Sequence, residues 1–189
     1  MRLVLALVGL LASLGACQAR SGADGPTDLD GHPSDPFAGS AKATVLVFVS
    51  TDCPISNRYA PELRRLYERF APQGVTFRLV YPTVEEPPAT IREHLREYRL
   101  PIAALRDPGH ALVARAKVTV TPESAVFTRG GELAYHGRID DRQVDFGEAR
   151  LEPTRRDLEA AIEAVLAGKT PIDAEGPAIG CAIAGRTRP

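Results

Sequence analysis

The sequence predicts an α/β fold: a three-layer sandwich with a mixed sheet, a C-terminal β-hairpin and a covering helix. Three observations predict it. Residues 43–50 form a continuous apolar, β-branched run, as expected of a strand buried on both faces. Stretches with apolar residues at helical spacing then alternate with further strand-like runs. Late in the chain, Gly130-Gly131 separates two short strands and so marks a hairpin.

The elements follow in order. After Cys53-Pro54, the residues Tyr59, Leu63, Leu66, Tyr67 and Phe70 recur on one helical face, and Gly74 ends that helix. Residues 75–81 read as a second strand. Pro87-Pro88 opens another helix, with Ile91, Leu95 and Tyr98 on one side. Residues 102–105 suit a short strand and 111–116 a short helix. Residues 124–128 and 132–136 are the arms of the hairpin. Thr154 and Asp157 have the spacing of a capping box, with Thr154 as N-cap of a last helix. Leu158, Ala161, Ile162, Val165 and Leu166 give that helix its buried stripe, and Gly168 ends it. The order is β-α-β-α-(β)-α-β-β-α, which right-handed parallel crossovers close into layers.

Outside that core the chain divides further. Arg2 precedes an apolar run over residues 3–14, too short to span a bilayer but suited to a secretory signal. The run ends in Gly15-Ala16-Cys17, which resembles a bacterial lipobox; the resemblance implies cleavage before Cys17 and lipid attached to it. The expected boundaries are a signal peptide over 1–16, an anchor and flexible tether over 17–40, the folded domain over 41–168, and a tail over 169–189 carrying Cys181. The tether reading rests on its richness in Gly, Pro, Asp and Ser, which offers little surface to offset ordering entropy. The implied location is the bacterial cell envelope, on the periplasmic side, with the membrane reached through the lipid anchor. With 23 Lys and Arg against 24 Asp and Glu, the formal net charge is −1, so no basic excess exists to neutralise phosphates and nucleic acid is not a partner.

The chemistry centres on Cys53. It stands where the first strand passes into the first helix, at the positive end of the helix dipole among unsatisfied N–H groups. Both favour thiolate over thiol. Ser56 falls three residues later, in position to donate a hydrogen bond to that thiolate. Thr121-Pro122 precedes the hairpin, and a cis bond there aims backbone groups at a chain bound across the cysteine. Cys181, in an apolar segment after the last helix, is a candidate resolving cysteine in an oxidising compartment, or a free thiol in a packed tail. His110 or His136 beside Cys53 offers a soft-metal alternative such as copper(I). His94 reads as lying on a surface helix, and the run Arg138, Asp140, Asp141, Arg142 as a solvated turn, with Arg138 a candidate to acidify Cys53.

The strand, Cys53-Pro54-Ile55-Ser56, the helix and Val120-Thr121-Pro122 before a hairpin resemble the thioredoxin-like superfamily. The insertion over residues 82–117 is similar to its redoxin branch, which takes in TlpA-like thiol oxidoreductases and peroxiredoxins. The resemblance implies that Cys53 is the nucleophile and Pro122 the cis-proline. It implies protein thiols and disulfides, or peroxide, as substrates, and no cofactor. Two departures stand out. Ser56 occupies the place of the second cysteine of a Cys-x-x-Cys pair, and Pro122 the place near which peroxiredoxins carry an arginine. The expected activity is therefore an exported thiol–disulfide oxidoreductase or thiol-dependent antioxidant using Cys53; the other class is a non-catalytic binding module, holding a metal or a protein partner at the same cleft.

Overall fold

A computed structural model describes residues 25–173 and 176–184. Five strands form the central sheet: β1 (Ala43–Phe48), β2 (Val75–Tyr81), β3 (Ala104–Arg106), β5 (Glu123–Thr128) and β6 (Leu133–Gly137). Their spatial order is β3-β2-β1-β5-β6. β1, β2 and β3 run parallel, while β5 lies antiparallel to both β1 and β6. β1 is central and every one of its residues is buried, which is why it reads as an unbroken apolar run.

The alternation of side chains along the strands divides the core in two. Val45, Val47, Leu79 and Val126 face one side, covered by Leu63, Leu66 and Phe70 of α2 (Ala60–Phe70) and by Leu158 and Ile162 of α5 (Asp157–Leu166). Ile91 of α3 (Pro88–Glu97) joins the same layer. Leu46, Phe48, Val80 and Phe127 face the other side, covered by Leu112, Val113 and Ala116 of α4 (Ala111–Ala116). These are the three layers the sequence predicts.

Several local expectations are corrected. The helix after Cys53 is two pieces, α1 (Pro54–Arg58) and α2, joined at Tyr59. Pro61 has no N–H for the carbonyl of Asn57, so the ladder is interrupted at that turn. Residues 25–40 do not stand off as a tether. Thr27 exchanges backbone hydrogen bonds with Arg106 at the β3 edge, and Phe37 packs edge-on against Phe127 with the Arg115 guanidinium over its ring. These backbone bonds and one aromatic ring fix the segment. Thr154 is not an N-cap: its hydroxyl and N–H both donate to the carboxylate of Asp141, and α5 begins only at Asp157. A buried carboxylate is a stronger acceptor partner than a helix start can offer.

The run after the hairpin is not a solvated turn either. Asp140 and Asp141 are both buried. Asp140 accepts from the Tyr59 hydroxyl at 2.7 Å, and Arg138 donates to Asp157 at 2.7 Å. This segment ties the hairpin and α5 to the kink between α1 and α2. A small ribbon, β7 (Gln143–Asp145) with β8 (Glu148–Ala149), projects beyond it. A second small pair joins β4 (Val120–Thr121) to β9 (Cys181–Ala182). Among the described residues no helix is long and apolar enough to cross a membrane. The apolar leader and Cys17 lie outside the described residues.

Candidate functional site: a cysteine pair

Cys53 is the N-cap of α1, its backbone extended as the chain leaves β1 and Pro54 opening the helix. Its thiol is fully buried and donates to the carbonyl of Thr121 at 3.1 Å. Thr121 ends β4, and the Thr121-Pro122 bond is cis. The tail brings Cys181 opposite Thr121 in the β4–β9 pair, with the two sulfurs 2.9 Å apart and both cysteines free. Ser56 lies one turn along α1, its buried hydroxyl in no close hydrogen bond among the described residues but acting on the Cys53 sulfur. Cys53, Ser56, Thr121, Pro122 and Cys181 are thus gathered in one place from three segments of the chain.

The electrostatics of the two thiols diverge. Burial acts to raise the pKa of Cys53, but hydrogen bonds from the Cys181 thiol and from the Ser56 hydroxyl and backbone outweigh it, and the net direction is down. Burial also acts on Cys181, and there the hydrogen bond to Cys53, the Cys53 charge and the Asp52 carboxylate all add to it, pushing the thiol up to about 12. Cys53 is thus the more acidic thiol of the pair, and when it ionises Cys181 is the thiol that keeps its proton and donates to the Cys53 sulfur.

A hydrogen-bond network that the sequence does not announce holds the loop leading to Cys53. Glu86, from the loop before α3, accepts from the Thr51 N–H at 2.6 Å, the Thr51 hydroxyl at 2.8 Å and the Ser50 hydroxyl at 3.1 Å. Ser50 also bonds to Asp52. Asn57 donates to the Thr51 carbonyl at 3.1 Å, and His94 joins Asn57 to the Tyr81 hydroxyl. His94 is therefore buried, not on a surface helix. The only sequence cue to this network was polar residues inside apolar periodic runs, such as His94 one helical turn beyond Ile91.

The remaining candidates are placed elsewhere. Arg138 is engaged with Asp157 rather than Cys53. His110 caps α4 and bonds to the Pro82 carbonyl, and His136 pairs loosely with Glu123. No group of three His, Cys, Asp or Glu suited to a metal occurs among the described residues.

Comparisons with known proteins follow the same lines. An uncharacterized conserved protein from Geobacillus kaustophilus is similar with a TM-score of 0.74 and 24% identity, over 87% of this chain and 89% of that one. The hypothetical protein SMc02350 from Sinorhizobium meliloti 1021 gives a TM-score of 0.67 and 26% identity, over 76% and 80%. A secreted Mycobacterium tuberculosis disulfide oxidoreductase homologous to E. coli DsbE gives 0.51 and 22%, over 75% and 92%. These likenesses establish the thioredoxin-like fold. No curated protein matches the sequence. Residues 27–136, which include Cys53 and Pro122 but not Cys181, match the AhpC/TSA family. The chain belongs to the AhpC/TSA family, and its core is a thioredoxin-like redoxin domain of the thiol-redox kind.

Proposed function

We propose that the protein is an exported thiol–disulfide oxidoreductase in which Cys53 is the nucleophile and Cys181 the resolving cysteine. The observation that carries this reading is the 2.9 Å contact between the two sulfurs, with their pKa values driven apart. Cys53 as thiolate attacks one sulfur of a substrate disulfide; a mixed disulfide forms and the other substrate sulfur leaves as thiolate. That step removes the Cys53 charge and the hydrogen-bond acceptor that keep Cys181 protonated. Cys181 then becomes more acidic at the moment when it is needed. It loses its proton and attacks Cys53, the Cys53–Cys181 bond forms, and the substrate leaves as a dithiol. The two electrons come from the thiol pair.

Disulfide exchange is favoured over peroxide reduction by what surrounds the sulfur. Among the described residues the groups acting on Cys53 are a carbonyl, a thiol, a hydroxyl and backbone, and none of these is a cation that would polarise a peroxide. Turnover with a protein disulfide and an excess of external reductant tests the reading. Cys53→Ser should abolish turnover, and Cys181→Ser should stall at a mixed disulfide. A Cys181→Ser variant turning over at the wild-type rate would remove Cys181 from the cycle.

Export and anchoring belong to the same proposal. They are supported by the apolar leader ending in Gly15-Ala16-Cys17. Cys17→Ser should move the protein from the membrane fraction to the soluble fraction. Identical fractionation of both forms as soluble protein would contradict the anchor.

A further inference from the structure

The tail does more than deliver a thiol. In the tail, β9 pairs with β4, with Thr121 opposite Cys181 and Val120 opposite Ala182. The Ile183 N–H donates to the Thr119 carbonyl at 3.0 Å, and the Ile183 side chain is buried in the second core layer. Ala178, at the other end, is buried as well. Cys53 has no exposed surface beneath this strand, so no external partner reaches its sulfur while the strand is in place.

Gly180 decides what can lie there. A Cβ at position 180 would stand 2.2 Å from the Thr121 carbonyl oxygen, 2.6 Å from its carbon and 3.1 Å from the Pro122 nitrogen. All three are backbone atoms at the edge that bonds to Cys53, so the obstruction cannot be relieved by turning a side chain. The residue before the cysteine in the docked strand must therefore be glycine, and the second residue after it fills an apolar pocket.

We propose that residues 178–183 are a resident occupant of the β4 edge beside Cys53, holding the place of the extended segment of a partner protein, and that this surface selects glycine immediately before a docked cysteine. The proposal rests on the reading of Cys53 as a disulfide-exchange nucleophile. The tail is then a self-docked strand that a partner must displace, and main-chain pairing with β4 supplies affinity while the glycine slot and the Ile183 pocket supply selectivity.

The test uses the full chain carrying Cys181→Ser, with and without Gly180→Val, and Ile183→Asp as a second way of releasing the strand. The probe is the peptide Pro-Ala-Ile-Gly-Cys-Ala-Ile with its cysteine joined in a mixed disulfide to 2-nitro-5-thiobenzoate, together with its Gly-to-Ala counterpart. Cys53 attacks the peptide sulfur, the new disulfide forms, and thionitrobenzoate leaves with the electron pair and is read by absorbance. Releasing the strand should speed the reaction of Cys53 with the small reagent dithiobis(nitrobenzoate). In the released forms the Gly peptide should react at least ~10-fold faster than the Ala peptide, a difference on the scale of a backbone overlap. Equal rates for the two peptides, with the small reagent reacting readily, would overturn the docking proposal and leave the chemistry of Cys53 intact. So would a reaction with the small reagent that neither release variant accelerates. A Cys53 inert to the small reagent in all forms would overturn the underlying reading, and the docking proposal with it.

Discussion

His94 and Asn57 share a hydrogen bond of 2.8 Å across the junction of α3 and α1, and through it the inserted segment grips the loop that leads to Cys53. Asn57 passes the grip to the Thr51 carbonyl. His94 must act here as a neutral ring, one nitrogen toward Asn57 and the other toward Tyr81.

That requirement gives a pH dependence. Burial lowers the pKa of His94 below its ordinary 6.5, against a small upward pull from Glu97. The unfolded chain therefore binds a proton that the folded chain resists. The contribution to stability is fully present above pH 6.5 and is lost as pH falls through the lowered value. Between pH 7 and 5 the wild type should lose more stability than His94→Gln, measured by urea denaturation. Parallel losses in the two proteins would place the titration elsewhere.

The Tyr59–Asp140 bond predicts a stability cost. Asp140 is buried, and one of its carboxylate oxygens already lacks a partner. Tyr59→Phe keeps the ring and removes the donor, and should cost about 1–3 kcal/mol. Asp140→Asn in the Phe background should cost less than in the wild type, because the two side chains act as one unit. Additive losses would mean that the bond is energetically unimportant.

Asp141 predicts an effect at lower pH. Burial acts to raise its pKa, but hydrogen bonds from the Thr154 side chain and from the Arg155 and Thr154 backbones, with the Arg150 charge, hold it at about 2. Stability from this carboxylate is present above the unfolded value, about 3.9, and is lost as pH falls towards 2. Asp141→Ala should be about 2 kcal/mol less stable at pH 6. The gap to wild type should narrow steadily below pH 4. A gap that persists unchanged to pH 2 would show that the carboxylate charge is not its source.

Ser56 and Cys181 predict the acidity of Cys53. Both donate to its thiolate, so Ser56→Ala and Cys181→Ala should each raise the midpoint of iodoacetamide alkylation against pH, while Cys181→Ser, which keeps a donor, should raise it less. Midpoints unmoved by either alanine variant would leave the helix terminus as the sole source of acidity.

The succession of strands and helices along the chain was legible because β1 is buried on both faces and the flanking helices bury one stripe each, so hydrophobic periodicity records them directly. The positions of Cys53 and Pro122 were legible because each sits at a boundary between elements, where the backbone has few alternatives. What the sequence concealed depends on contacts far apart along the chain. Nothing local to Asp140 announces a tyrosine on the α1–α2 kink, and Asp141 takes Thr154 from the capping role its spacing suggests. Gly180 reads as one more small residue in a loose tail; only its approach to Thr121 reveals why a side chain is excluded there. Thr27, Leu29 and Phe37 anchor a stretch whose polar composition argued for a tether.

The claim at the centre of the account is that Cys53 and Cys181 form one redox pair within a single chain. Reduced protein lacking the leader and Cys17 should be treated with one equivalent of a small disulfide, quenched in acid and digested without reductant. The account predicts a peptide in which Cys53 is bonded to Cys181, with no adduct retained, and a persistent mixed disulfide on Cys53 in Cys181→Ser. Recovery of Cys181 as a free thiol in the wild type, with Cys53 still carrying the reagent, would contradict it.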